Sequence, residues 1–131
     1  MVAVDTNVVV RLLTADDPKQ HAAAQAVFSN GPVWIAKTVL LETCWVLRSL
    51  YGFEAAAIHN ALAKLLGLRN VQAEDGPAVA ATLSLAHHGI DFAEALHLSS
   101  RPAGAAFVSF DRTLVRRAQR SGVAHVAPAV R

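Results

Sequence analysis

Asp5, Glu42, Asp91, Glu94 and Asp111 are the residues whose type and placement suggest chemistry. Asp5 ends a short apolar run, Val2-Ala3-Val4, and is followed at once by Thr6 and Asn7. Asp111 follows a second such run, Ala105 to Ser109, while Asp91 and Glu94 open a segment just after Gly89. Glu42 stands in Val39-Leu40-Leu41-Glu42-Thr43-Cys44-Trp45, where nearly every neighbour is apolar. A carboxylate in such a setting is seldom buried without a partner. Two bare carboxylates about 4 Å apart repel by about 4 kcal/mol at an effective dielectric of about 20. A cluster of four or five therefore protonates, splays apart or binds cations. All-oxygen sites suit Mg²⁺ or Mn²⁺ better than zinc, and that is the metal chemistry of phosphodiester cleavage.

Each acid also has a plain structural explanation. Asp5, Asp91 and Asp111 all stand where a helix cap is wanted, and taken singly the cap is the better reading. Glu94 follows Asp91 at capping-box spacing. Glu42 could belong to a solvent-facing stripe with Arg48. The joint pattern tells more, because every one of these positions lies at the end of a strand or the start of a helix.

The elements that would position them alternate. The first strand and helix are followed by Asp17-Pro18, an N-cap with proline at the first helical position, and by a helix that stops at Asn30-Gly31. Val33 to Ala36 reads as the second strand, and Thr38 as the cap of a third helix closed by Gly52. A fourth helix covers roughly 54–66, with Ile58, Leu62, Leu65 and Leu66 on one face. A brief strand at Val71–Ala73, a fifth helix to His88-Gly89 and a sixth from Asp91 to about Ser100 follow. The strand ending at Ser109, an arginine-rich helix stopped by Gly122 and a short strand at Val123–Val126 complete the chain. Strands and helices joined by short connections predict an α/β fold in three layers, with a central, mostly parallel sheet of four to five strands flanked by helices. In such a sheet the acids fall at the carboxyl edge, where ligands bind.

At 131 residues the chain has the length of one domain, read here as 1–131. It is 53% apolar and 17% charged, which marks a globular protein. No apolar run approaches the roughly 20 residues of a membrane helix, and Met1 leads straight into a strand instead of a signal peptide. A single cysteine, Cys44, excludes an internal disulfide framework and suits a reducing cytoplasm. The net charge of +2 is uneven: residues 1–100 hold six Lys/Arg against nine Asp/Glu, a net of −3. Residues 101–131 hold six arginines (101, 112, 116, 117, 120 and 131) against Asp111, a net of +5. A basic helix is more often a solvated face than a binding site, but beside an acidic pocket it is suited to a phosphate chain.

Rival chemistries fare worse. Glu94-x-x-His97 has di-iron spacing, but a second copy and two further glutamates are missing. His97 is therefore read as a packing or hydrogen-bonding residue and His87-His88 as helix C-terminal residues, while the sequence alone names no partner for His21, His59 or His125. Cys44 has no general-base partner and reads as core, as do Trp34, Trp45 and the phenylalanines. There is no glycine-rich phosphate loop and no nucleophile elbow.

In order and spacing, Val4-Asp5-Thr6-Asn7, Glu42, Asp91-Phe-Ala-Glu94-Ala-Leu-His97-Leu and Val108-Ser109-Phe110-Asp111-Arg112 resemble PIN-domain nucleases, and among them the VapC-type toxins of bacterial toxin–antitoxin pairs. The likeness spans essentially the whole chain. It implies a Mg²⁺- or Mn²⁺-dependent endoribonuclease acting on structured RNA such as tRNA, a cognate antitoxin and a homodimer. Asp5, Glu42, Glu94 and Asp111 match the family's acids and Asp91 an additional one. Thr6, Asn7 and Ser109 match the residues that orient the carboxylates. Glu94 stands where the family usually has aspartate, so its carboxylate reaches further, and either it or Asp91 is the main ligand. Arg11, Arg112 and Arg116 are the candidates for holding the RNA backbone. The alternatives are a catalytically idle binding module on the same fold and a receiver-like signalling domain. The second is disfavoured because Lys19, Lys37 and Lys64 all lie early in the chain.

Overall fold

The computed structural model describes residues 1–129; Arg131, one of the C-terminal arginines, lies outside them. The chain divides into two compact units, Met1–Gly76 and Pro77–Arg131. The first contains β1 (Val2–Ala3), α1 (Thr6–Leu13), α2 (Pro18–Ser29), β2 (Val33–Ile35), α3 (Lys37–Ser49), α4 (Ala55–Leu66) and β3 (Val71–Ala73). The second contains α5 (Gly76–His87), which starts at the boundary, then α6 (Phe92–Ser100), β4 (Phe107–Ser109), α7 (Arg112–Arg120) and β5 (Val126–Pro128). Among the described residues the strands all pair in parallel, β1-β2-β3 in one sheet and β4-β5 in another. The expected α/β architecture is present, with its strands grouped three and two.

In the first unit β2 is the central strand. Val33 pairs with Val2 on one side and Val71 on the other, and Val33 and Ile35 are both completely buried. On α3 the buried stripe is Leu40, Thr43 and Leu47, the spacing of one helical face. On α4 it is Ile58, Leu62 and Leu65. β1 differs from the buried strand expected, since Val2 is 49% exposed. In the sheet of its unit it is an edge strand, paired with β2.

The second unit has its own core of Ile90, Ala95, Leu98, Leu114, Val115, Ala118 and Val126, with Phe107 packed against it. Gly89 ends the α5 turn at φ 94, a left-handed conformation that a side chain would strain. The last strand begins three residues later than expected. The Arg101 guanidinium donates to the carbonyls of Ala124 and His125, at 2.6 and 3.1 Å, and so fixes that stretch as a connection.

One other boundary differs from the sequence reading. Thr38 does not cap α3. The N-cap residue is Ala36, and the Lys37 amide donates to Glu74 Oε1 at 2.9 Å. Asp17, by contrast, caps α2 as expected, accepting from the Gln20 amide at 3.0 Å. Among the described residues no helix is long and apolar enough to cross a membrane.

Candidate active site

In the first unit Asp5 is the N-cap of α1, its Oδ1 accepting from the Val8 amide at 3.1 Å. Thr6, the first residue of that helix, donates its hydroxyl to the carboxylate of Glu42. Glu42 falls outside the Leu40-Thr43-Leu47 stripe and is exposed, so the apolar run around it does not bury it. Asp5, Thr6, Asn7 and Glu42 share an open hollow of about 440 Å³ that Val10 and Val46 also line. Arg11 and Tyr51 reach the same hollow.

Arg11, a candidate RNA contact by sequence, has partners within its own unit. Its Nη1 lies 3.0 Å from Asp16 Oδ1 and 3.4 Å from the Tyr51 hydroxyl, and Tyr51 in turn donates to Asp16 Oδ2 at 2.8 Å. The Tyr51 hydrogen bond, helped by Thr14 and Arg11, holds the Asp16 carboxyl below its usual range. The only sequence signal was the clustering of Thr14, Asp16 and Asp17 after a helix; nothing local points to Tyr51. His21, left without a partner in the sequence, has one in the Arg11 carbonyl, 2.9 Å from its Nδ1.

In the second unit Asp91 caps α6 and accepts from the Glu94 amide at 3.3 Å, the aspartate half of a capping box. Asp111 caps α7, accepting from the Leu114 amide at 3.0 Å, while its own amide donates to Ser109 Oγ at 3.0 Å. Glu94 is half-buried in the first turn of α6. Its carboxyl is pushed above the ordinary range, first by burial and then by the negative charges of Asp91 and Asp111. His97 and Arg117 partly offset this. Three acids of this unit therefore share one electrostatic neighbourhood, and their mutual repulsion favours any cation that enters it. Within either unit, among the described residues, no three His, Cys, Asp or Glu side chains form a ready-made metal cage.

The arginines divide by role. Arg101 clips the chain before β5, as described, and Arg117 donates to the Gly89 carbonyl at 3.2 Å. Arg112 and Arg116 are exposed on α7, opposite its buried Leu114, Val115 and Ala118. His97 is exposed and so is not a packing residue; it acts on Glu94 through charge. Three aromatics expected in the core are on the surface, Trp45 at 60%, Phe53 at 43% and Phe110 at 79% exposure. Trp45 misses the buried stripe of α3, and Phe110 lies at the turn between β4 and α7.

Among solved structures, the chain is similar to the Mycobacterium tuberculosis toxin VapC20, described as cleaving the sarcin-ricin loop. The two are 24% identical over 76% of this chain and 79% of that one, with a TM-score of 0.45. No curated protein matches it in sequence. The family profile of the PIN domain matches residues 2–120. By that match, the chain belongs to the PIN-domain family.

Proposed function

We propose that this PIN-domain chain works as one domain, a divalent-metal-dependent endoribonuclease, and serves as the toxin of a toxin–antitoxin pair. The observation that carries this reading is Glu94, whose carboxyl is destabilised as an anion by burial and by Asp91 and Asp111. An isolated helix cap needs no such company. A hard cation relieves that repulsion, and an all-oxygen donor set fits Mg²⁺ or Mn²⁺.

We assign Asp91, Glu94 and Asp111 in the second unit and Asp5 in the first to metal ligation, and Glu42 in the first to positioning the attacking water. Thr6, Asn7 and Ser109 orient these acids, Thr6 through its hydrogen bond to Glu42 and Ser109 through the Asp111 amide. When bound, the ion lowers the pKa of water and offsets charge on the phosphate. Arg112 and Arg116 hold the RNA backbone. Arg11 borders the Asp5–Glu42 hollow, but part of its donor capacity is spent on Asp16 and Tyr51. The resemblance noted from the sequence supports structured RNA such as tRNA as substrate, a cognate antitoxin and a homodimer, and the single cysteine suits a cytoplasmic site of action.

The test is cleavage of a mixed small-RNA pool by purified protein with Mg²⁺, with Mn²⁺ and with EDTA, beside Asp5→Asn prepared identically. Discrete cuts that need metal and fall about 100-fold or more in the variant are expected. Equal cutting by both proteins overturns the assignment of Asp5. No cutting and no metal binding by either would leave the idle binding module.

A further inference from the structure

We infer that Phe110 is a nucleobase-stacking residue for the RNA substrate, an inference that rests on the nuclease reading above. Phe110 is more exposed than any other large apolar side chain among the described residues. A single exposed apolar residue needs no explanation by itself. The surroundings of this one supply the argument.

Its backbone is pinned on both sides. The Asp111 amide bonds to Ser109 Oγ, and the Asp111 carboxylate bonds to the Leu114 amide, both at 3.0 Å. The ring thus projects from a fixed turn, whereas Phe107 at the start of β4 packs against the core. Directly beyond it stand Arg112 and, one helical turn on, Arg116, both exposed. Immediately beside it is Asp111, assigned above to the chemistry. A cationic track with an aromatic face is how proteins hold unpaired nucleotides, since every base offers a stacking surface. A ring adjoining Asp111 would hold an unpaired base next to the bond to be cut. Because stacking tolerates any base, Phe110 sets affinity and placement of that nucleotide and leaves its identity unread. An arginine-rich neighbourhood favours a polyanion over an apolar protein surface as the occupant.

The experiment is fluorescence anisotropy with a short, labelled, unstructured oligouridylate, in an Asp5→Asn background that does not cut the probe. Phe110→Ala should bind about 5- to 150-fold more weakly, the span of one lost base–aromatic stack. Phe110→Trp and Phe110→Tyr should bind as tightly as the parent, and Phe110→Leu should behave like Phe110→Ala. Oligonucleotides with one abasic site moved along their length should include one on which parent and Phe110→Ala bind equally. Unchanged melting temperatures establish that all variants fold. Parental binding by Phe110→Ala, or full rescue by Phe110→Leu, overturns the stacking role and leaves an apolar protein contact as the use of this residue. If the wild-type protein still cleaves RNA in a metal-dependent way, only this inference has fallen. If neither wild type nor parent binds any RNA, the nuclease reading falls with it.

Discussion

Thr6 and Glu42 are joined by a hydrogen bond, the Thr6 hydroxyl donating to the Glu42 carboxylate, and this ties the first turn of α1 to the second turn of α3. Glu42 is exposed, so without this bond its long side chain would sample many rotamers. Thr6→Val should therefore lower cleavage by about 10- to 100-fold, the order of loss when a group that orients a residue of a metal site is removed, while Thr6→Ser retains activity. Rates for both variants under saturating RNA would check this. Wild-type rates in Thr6→Val would show the contact to be idle.

Glu94 carries a pH signature. Its folded-state pKa is raised, so the folded protein holds this proton more tightly than the unfolded chain does. Its contribution to stability is full below the unfolded value of about 4.5 and is lost as pH rises through the raised folded value. In EDTA at neutral pH, Glu94→Gln should melt no lower than wild type, and the relative advantage should vanish in acid. Melting curves across pH test this, and a variant destabilised only at neutral pH would contradict it.

Arg112 and Arg116 face solvent on α7. Replacing either with alanine should weaken RNA binding uniformly across sequences and reduce the slope of log K against log salt by about one. Cleavage at saturating RNA should stay near wild type. Salt titrations of binding supply the check.

Tyr51→Phe removes the hydroxyl that donates to Asp16 and lies beside Arg11. The Asp16 carboxyl should then titrate closer to its ordinary value, because its largest lowering influence has gone. Carboxyl carbon shifts followed by NMR as pH falls would reveal the change. The depressed pKa in wild type means that Asp16 adds stability above the unfolded value and loses it as pH falls. Acid unfolding of Tyr51→Phe should accordingly depend less on this residue.

Much of the site was legible because caps are local. Asp5, Asp91 and Asp111 announce themselves by standing just before helical segments, and each does cap its helix. Asp17-Pro18 was readable for the same reason. Thr38 was misread because the amide of Lys37 is satisfied by Glu74, 37 residues away, and sequence neighbours carry no sign of it. Tyr51 escaped notice likewise, its partner Asp16 being 35 residues distant. Glu42 is exposed, as a solvent-facing stripe with Arg48 requires, and Trp45, whose type suggests core, is exposed too because both miss the buried Leu40-Thr43-Leu47 stripe. The type of Phe110 suggests core, whereas its place at a turn determines its exposure.

The caps have a further consequence, in how much freedom each acid must surrender when something binds to it. Asp5, Asp91 and Asp111 each commit one carboxylate oxygen to a backbone amide, so their rotamers are settled as soon as the helices form. Ordering a glutamate side chain from scratch costs up to about 2 kcal/mol. Glu42 has already met part of that cost through Thr6. Among the described residues, the Glu94 carboxylate accepts no hydrogen bond, so of the five acids it has the most ordering left to do. The residue that departs from its family's usual aspartate is thus also the adjustable one, able to follow an incoming charge while the other four hold still.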